Sequence, residues 1–164
     1  MTMDRKIIDS FEVGGDKLRK AIDGLSRDEL IWTPPPALDV GRWSIQQVTF
    51  HLMDDELIWT DRMKRVIAED NPKILNYDES KFATKLFAEE QDAHIAAEIL
   101  DQNRRQFCII LRNLPDSAFA RTGDHNDIGI FTLGQAINWT AEHHDHHVYY
   151  IAMKREKLGK PLAG

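Results

Sequence analysis

Four of the seven histidines fall within five consecutive residues, His143, His144, His146 and His147, interrupted only by Asp145. Neutral imidazole is a nitrogen ligand for divalent metals, and a helix carries side chains at i and i+4 on one face, one turn apart. The spacing of His143 and His147 therefore lets two rings converge on one ion, as in zinc sites built from helical histidine pairs. The i, i+3 pairs His143/His146 and His144/His147 offer alternatives. On a helical wheel turning about 100° per residue, His144 and His147 lie nearest the apolar stripe, His143 at its edge, and His146 outward. The wheel selects His147 without selecting its partner. The competing reading is a solvated polar turn with one or two rings satisfied in the core.

Two imidazoles rarely hold a metal tightly, so a third ligand is needed. His51, Asp55, Ile58 and Arg62 recur at i, i+4, i+7 and i+11, flanking an apolar face of Val48, Leu52, Trp59 and Val66. A histidine beside a core face can meet the histidine-rich segment across a bundle interior. A core histidine bonded to a carbonyl fits the same pattern. Asp55, one turn from His51, could orient an imidazole or take a proton, as could Asp54 or Glu142. Arg62 could neutralise Asp55 or hold an anionic substrate, although a plain salt bridge is the preferred reading. His94 and His125 are expected at the surface, and Trp43, Trp59 and Trp139 in the core. Cys108, the only cysteine, lies in the apolar run Phe107 to Leu111. It reads as a buried small hydrophobe rather than a nucleophile. Three histidines leave coordination positions open, as catalytic sites do. An ion there could activate water for hydrolysis or present a thiol as its thiolate, and the ligands do not separate the two.

Four long amphipathic segments must position these residues. The first runs from Asp4 to about Leu25, with Gly14-Gly15 as a weak point that could kink it. A turn over Ser26–Leu30 and an extended stretch at Thr33-Pro34-Pro35-Pro36 follow. Ser44 and Gln47 form a capping-box pattern that opens the second helix, which ends near Glu69. Residues 71–79 read as a loop, and a short helix begins near Ser80. The third helix spans Ala93 to Leu114, stopped by Pro115. A polar loop from Thr122 to Gly129 leads to the last helix, opened by Thr132 and Gln135 and ending near Lys157-Leu158-Gly159. With no convincing strand, the pattern is all-α, a four-helix bundle whose long connections leave the helix order open. No linker or repeat divides the chain, so one domain is expected over residues 1–164.

The formal net charge of −6 argues against nucleic acid as the main partner, because phosphate binding needs a concentrated basic surface. The cluster Lys154, Arg155, Lys157 and Lys160 reads as a complement to the carbonyl end of a helix. No apolar stretch suits a signal peptide or a membrane span, so a cytoplasmic protein with no membrane partner is expected.

Trp43-Ser44-Ile45-Gln46-Gln47-Val48-Thr49-Phe50-His51-Leu52-Met53-Asp54-Asp55-Glu56 resembles a signature of the DinB-like superfamily. The stretch from Ile67 through Ile74 to Tyr77-Asp78-Glu79 is similar to the connection after helix two in its YfiT-like branch. Ala141 to Ile151 is similar to that branch's closing histidine element. The likeness runs from about Trp32 to Ile151. It implies a four-helix bundle, often dimeric, with one divalent ion, usually nickel or zinc, on one histidine of helix two and two of the last helix. Carried over, these are His51, His143 and His147. One departure is Tyr150, where close relatives often have a further histidine. The resemblance implies metal-dependent hydrolysis or S-transfer from a low-molecular-weight thiol, such as bacillithiol or mycothiol, to a small-molecule substrate. The alternatives are a non-catalytic metal-binding stress-response protein and a bundle whose histidines bind nothing.

Overall fold

Capping boxes start both helices that carry the histidine candidates. The Ser44 hydroxyl accepts from the Gln47 amide at 3.1 Å, and the Gln47 side chain accepts from the Ser44 amide at 3.0 Å. Thr132 and Gln135 repeat the arrangement at 3.1 and 2.8 Å. A cap of this kind is worth about 0.5–2 kcal/mol. In this computed structural model, which describes residues 5–162, they open α3 (Ile45–Ala68) and α6 (Leu133–Lys157). Gly159, at φ +70°, closes α6 in the left-handed conformation that glycine favours. The other long helices are α1 (Lys6–Ile22) and α5 (Ala93–Asn113). The expected start of α1 at Asp4 lies outside the described residues. Two short helices, α2 (Arg27–Ile31) and α4 (Glu79–Lys85), sit in the connections. The first replaces the turn expected at Ser26–Leu30, because Ser26 and Glu29 supply a capping box of their own.

The helix order left open by the sequence is fixed by contact registers. The principal helix contacts pair α1 with α5 and α6, and α3 with α5 and α6. Ile8 meets Cys108, Phe11 meets Arg104, and Gly15 faces Asp101, so α1 and α5 are antiparallel. His51 meets His147, Asp55 meets His143, and Trp59 meets Trp139, so α3 and α6 are antiparallel too. Lys17 pairs with Asp145 and Ala21 with Arg155, which makes α1 and α6 parallel. The bundle is therefore up-down-down-up. The parallel step from α3 to α5 requires a connection that returns the full length of the bundle, which residues 69–92 provide.

Two apolar tiers fill the interior. One gathers Phe11, Met63, Phe107, Phe131 and Ile137, and the other Leu18, Ile22, Ile45, Leu52, Leu100 and Ile151. Between them Arg104 of α5 is buried to 1% exposure. Its guanidinium donates to Glu56 of α3 at 2.8 Å and to the Phe11 carbonyl of α1 at 2.8 Å. A longer contact of 3.5 Å reaches the Thr140 carbonyl of α6, so one side chain touches all four helices. This layer also explains Gly14-Gly15. The pair does not interrupt α1, contrary to expectation. A Cβ on Gly14 would lie 1.9 Å from the Arg104 guanidinium, and one on Gly15 would lie 2.6 Å from the Asp101 Cα. The glycines let α1 approach α5 over the buried arginine.

Two loop expectations are corrected. Within 71–79, Lys73–Ile74 forms a short strand, β1. The stretch Thr122–Gly129 belongs to a hairpin of β2 (Thr122–His125) and β3 (Gly129–Thr132). β1 pairs parallel to β2 and β2 antiparallel to β3, giving a three-stranded sheet that ties the long connection to the segment before α6. Gly123 lets β2 press onto the core, since a Cβ there would meet Val66 at 2.9 Å. Among the described residues no helix is long and apolar enough to cross a membrane.

Candidate metal centre

Antiparallel packing of α3 on α6 brings His51 against the histidine-rich turn. His51 Nε2 lies 3.2 Å from His143 Nε2, which lies 3.0 Å from His147 Nε2. One ligand atom from each of the three falls within 4.8 Å of the others. Of the pairings open on the wheel, the i, i+4 pair is the one that converges with α3. His144 turns into the interior beside Gly14, buried to 1% exposure, and His146 faces outward. His94 is exposed, as expected.

The three rings lie within hydrogen-bond distance of one another and together form a metal donor set. Burial, reinforced by the neighbouring His143, pushes His51 down to about 4. Burial, with His143 and His51 alongside, pushes His147 down to about 3. Both rings are therefore neutral at physiological pH and carry one N–H each. Three facing Nε2 atoms cannot all be satisfied by one another, whereas a cation between them would accept all three lone pairs. Tetrahedral zinc with Zn–N distances of about 2.0–2.1 Å requires nitrogens about 3.3–3.4 Å apart, close to the 3.2 and 3.0 Å from His143 to its two neighbours. The residues present fit a divalent metal.

Asp55 stands behind the cluster. Its Oδ2 lies 3.2 Å from His143 Nδ1, and its Oδ1 accepts from the Tyr77 hydroxyl at 2.9 Å. Burial works to raise the Asp55 pKa, but contact with His143 and the Tyr77 hydroxyl outweighs it and holds the carboxyl below its usual range. A carboxylate 3.2 Å from Nδ1 is placed to draw a proton onto it, the tautomer that would leave Nε2 free to bind a metal. Asp54 is pushed the other way by burial and makes no such contact. Glu142 is exposed.

A cavity of about 710 Å³ opens beside His143 and Asp55. Its walls correct several expectations. Trp59 packs against the apolar core as expected and also lines the cavity, whereas Trp139 lines it at 39% exposure. Trp43 packs against the second apolar tier and at 5.0 Å against His51. Arg62 does not form the plain salt bridge expected of it. It donates to the Leu75 carbonyl at 2.6 Å and lies over the Trp59 and Tyr77 rings at 4.7 and 5.6 Å. His125, expected at the surface, is 3% exposed and stacks on Trp59 at 6.1 Å with an interplanar angle of 7°. Its Nδ1 accepts from the backbone amides of Asp127 and Ile128, which places the proton on Nε2. The hairpin that buries it has no helical or long alternating pattern to announce it. Tyr77, also missed as a site residue, comes from the 69–92 connection, and only tertiary pairing brings it to Asp55.

Cys108 is buried, and burial raises its thiol to about 12, in keeping with an inert apolar filler.

Comparison with known proteins agrees with this architecture. The family profile of the DinB superfamily matches residues 10–151. A protein of Oceanobacillus iheyensis named "Putative metal-dependent hydrolase" is 32% identical over 111 residues, 68% of this chain and 64% of that protein. The matched region thus spans a little under two thirds of that relative. A relative of the same description from Bacillus mycoides is 30% identical over 93% of this chain and 86% of its own length. The structure of YfiT from Bacillus subtilis, described as a probable metal-dependent hydrolase with an unusual four-helix bundle topology, superposes with a TM-score of 0.86. It is 26% identical, and the match covers 94% of this chain and 86% of that one.

Proposed function

This chain belongs to the DinB superfamily, and on that premise we propose that it is a metal-dependent enzyme holding one nickel or zinc ion on His51, His143 and His147. The observation that carries the reading is the convergence of three imidazole Nε2 atoms beside a hydrogen-bonded carboxylate at the mouth of a cavity. A divalent ion bound there would act as a Lewis acid, making water or a thiol nucleophilic near neutral pH. Hydrolysis of a small-molecule substrate is the leading activity, in line with the names of the relatives. Transfer from a low-molecular-weight thiol uses the same ligands and the same open side. A homodimer in the cytoplasm completes the reading.

The chain's own residues have separable tasks. Asp55 sets the tautomer of His143 and is the nearest base for a proton released at the site. Tyr77 fixes Asp55 by donating to Oδ1. Arg62, spread over Trp59 and Tyr77 on the cavity wall, orients an anionic part of the substrate or stabilises developing negative charge. Trp59 and Trp139 shield that side from bulk water.

The test is metal analysis of untagged protein beside a His51→Ala, His143→Ala, His147→Ala variant. About one nickel or zinc per chain is expected in the wild type and none in the variant. Amide, ester and thiol–electrophile substrates are then screened with the loaded protein. Wild-type protein that neither carries nor takes up metal overturns the proposal. Metal without turnover in any screen favours a non-catalytic metal-binding role.

A further inference from the structure

Beside His147 lies a second cavity, of about 260 Å³, that shares no lining residue with the first. Its walls include Gly41, Arg42, Trp43, His147, Tyr150 and Lys154. The two cavities differ in charge. The larger is lined by the carboxylates Asp55, Asp78, Glu79 and Asp127 against the single cation Arg62. The smaller has two cations, Arg42 and Lys154, and no carboxylate.

Lys154 is the unusual member. The sequence reads it as a complement to the carbonyl end of a helix, yet it is 1% exposed. Its ammonium donates to the Val40 carbonyl and lies 5.5 Å from the Tyr150 ring centre. Among the described residues no carboxylate lies within ion-pair distance of it. An ammonium has three N–H donors, so one backbone carbonyl leaves capacity over. Burying a charge without a counter-ion is costly unless something repays it. Burial alone lowers the Lys154 pKa to about 8. Gly41 and Lys154 both line the cavity, with no side chain on Gly41 between them. Gly41 adopts φ +80°, and a Cβ there would come into van der Waals contact with the Lys154 nitrogen at 3.5 Å.

We propose that this second cavity binds the carboxylate or other anionic group of an organic ligand, with Lys154 as its counter-ion, Arg42 at the rim, and Trp43 and Tyr150 against the ligand's apolar part. Because His147 is shared with the histidine cluster, a ligand seated there reaches towards the metal. That last step rests on the function proposed above, whereas the anion site does not require metal.

The probe is phenylacetate, with phenylacetamide as its neutral counterpart, titrated calorimetrically into metal-free and zinc-loaded protein. Phenylacetate is expected to bind both forms, phenylacetamide at least tenfold more weakly, and Lys154→Met to lose at least tenfold in phenylacetate affinity. No binding of phenylacetate, equal binding of the amide, or unchanged affinity in folded Lys154→Met overturns the proposal. A second measurement needs no variant. The Lys154 pKa, followed by NMR of its ε-carbon, should rise by about one unit when phenylacetate saturates the wild type, matching a tenfold preference for the charged amine. An unchanged value overturns the proposal. Phenylacetate binding by protein that takes up no metal would leave this site standing while the metal-dependent reading fell.

Discussion

Asp55 and Glu56 are adjacent on α3 and both buried, yet they serve opposite kinds of environment. Glu56 turns into the centre of the bundle, where Arg104, Asn103 and Thr60 surround it. Burial pushes its carboxyl upward, and the Arg104 guanidinium holds it back. The guanidinium in turn bonds to the Phe11 carbonyl, so the cluster is closed: opposite charges meet and few donors are left over. Asp55 turns towards α6 and faces three rings whose nitrogens point at one another. That cluster is open, because three ring nitrogens converge on one point and no charged partner stands between them. A closed buried network specifies packing, and an open one asks for a ligand.

The contrast can be broken most severely from the closed side. Arg104→Met leaves Glu56 buried without its counter-charge and should destabilise the protein by about 3–5 kcal/mol in urea unfolding. Adding Glu56→Gln to that variant should recover part of the loss. A loss below about 1 kcal/mol for Arg104→Met alone would remove the case that this pair organises the bundle.

Acid acts on the open side. In metal-free protein His51 and His147 stay neutral in the fold down to about 4 and about 3, while in the unfolded chain they take up protons below about 6.5. The stability they contribute is therefore complete above about pH 6.5 and is lost as pH falls towards the folded values. The drop should be roughly 2–4 kcal/mol between pH 7 and pH 4, after allowance for partial solvent access. Urea unfolding across that range should show a clearly shallower slope in a His51→Ala, His147→Ala variant. Equal slopes would mean that other groups govern the acid limb.

Smaller effects sharpen the roles around Asp55. Asp55→Asn should weaken zinc affinity by about 10–100-fold in a chelator competition, with the fold intact by circular dichroism. Unaltered affinity would make the carboxylate a bystander to His143. Tyr77→Phe removes one hydrogen bond to Asp55 and should cost about 0.5–1.5 kcal/mol of stability. Its effect on zinc affinity should be smaller than that of Asp55→Asn and should vanish when both changes are combined.

What could be read in advance follows the range of the interactions. Ser44–Gln47 and Thr132–Gln135 were legible because a capping box is written within four residues. The inward turn of His144 and outward turn of His146 were legible from helical phase. Gly14-Gly15 was misread, since the same two letters mark a kink or a close approach, and only Arg104 across the interface decides between them. The hairpin escaped because β2 and β3 are four residues each and rich in glycine and polar groups. With it went His125, whose burial depends on Trp59 from another element. Lys154 and Arg155 looked like ordinary cations near a helix end. Arg155 does answer a helix's carbonyls, but those of Ala21 and Asp23 at the end of α1 rather than its own. The choice among the histidine pairs came from resemblance to a family, because helical phase alone does not say where α3 will lie.

The small sheet has a consequence for anyone wishing to retrain this protein. It joins the 69–92 connection to the hairpin through main-chain bonds, the Asp124 amide to the Pro72 carbonyl and the Asn126 amide to the Ile74 carbonyl, both at 3.0 Å. Main-chain bonds are largely indifferent to the side chains they carry, while every histidine of the cluster sits on a capped helix. The wall of the large cavity and its floor are therefore independently editable. A combinatorial library at Glu79, which opens α4, and Ile128, in the hairpin turn, explores new substrates without disturbing the helices that hold the chemistry, while Asp127 is kept because it accepts from Asn76 across the join.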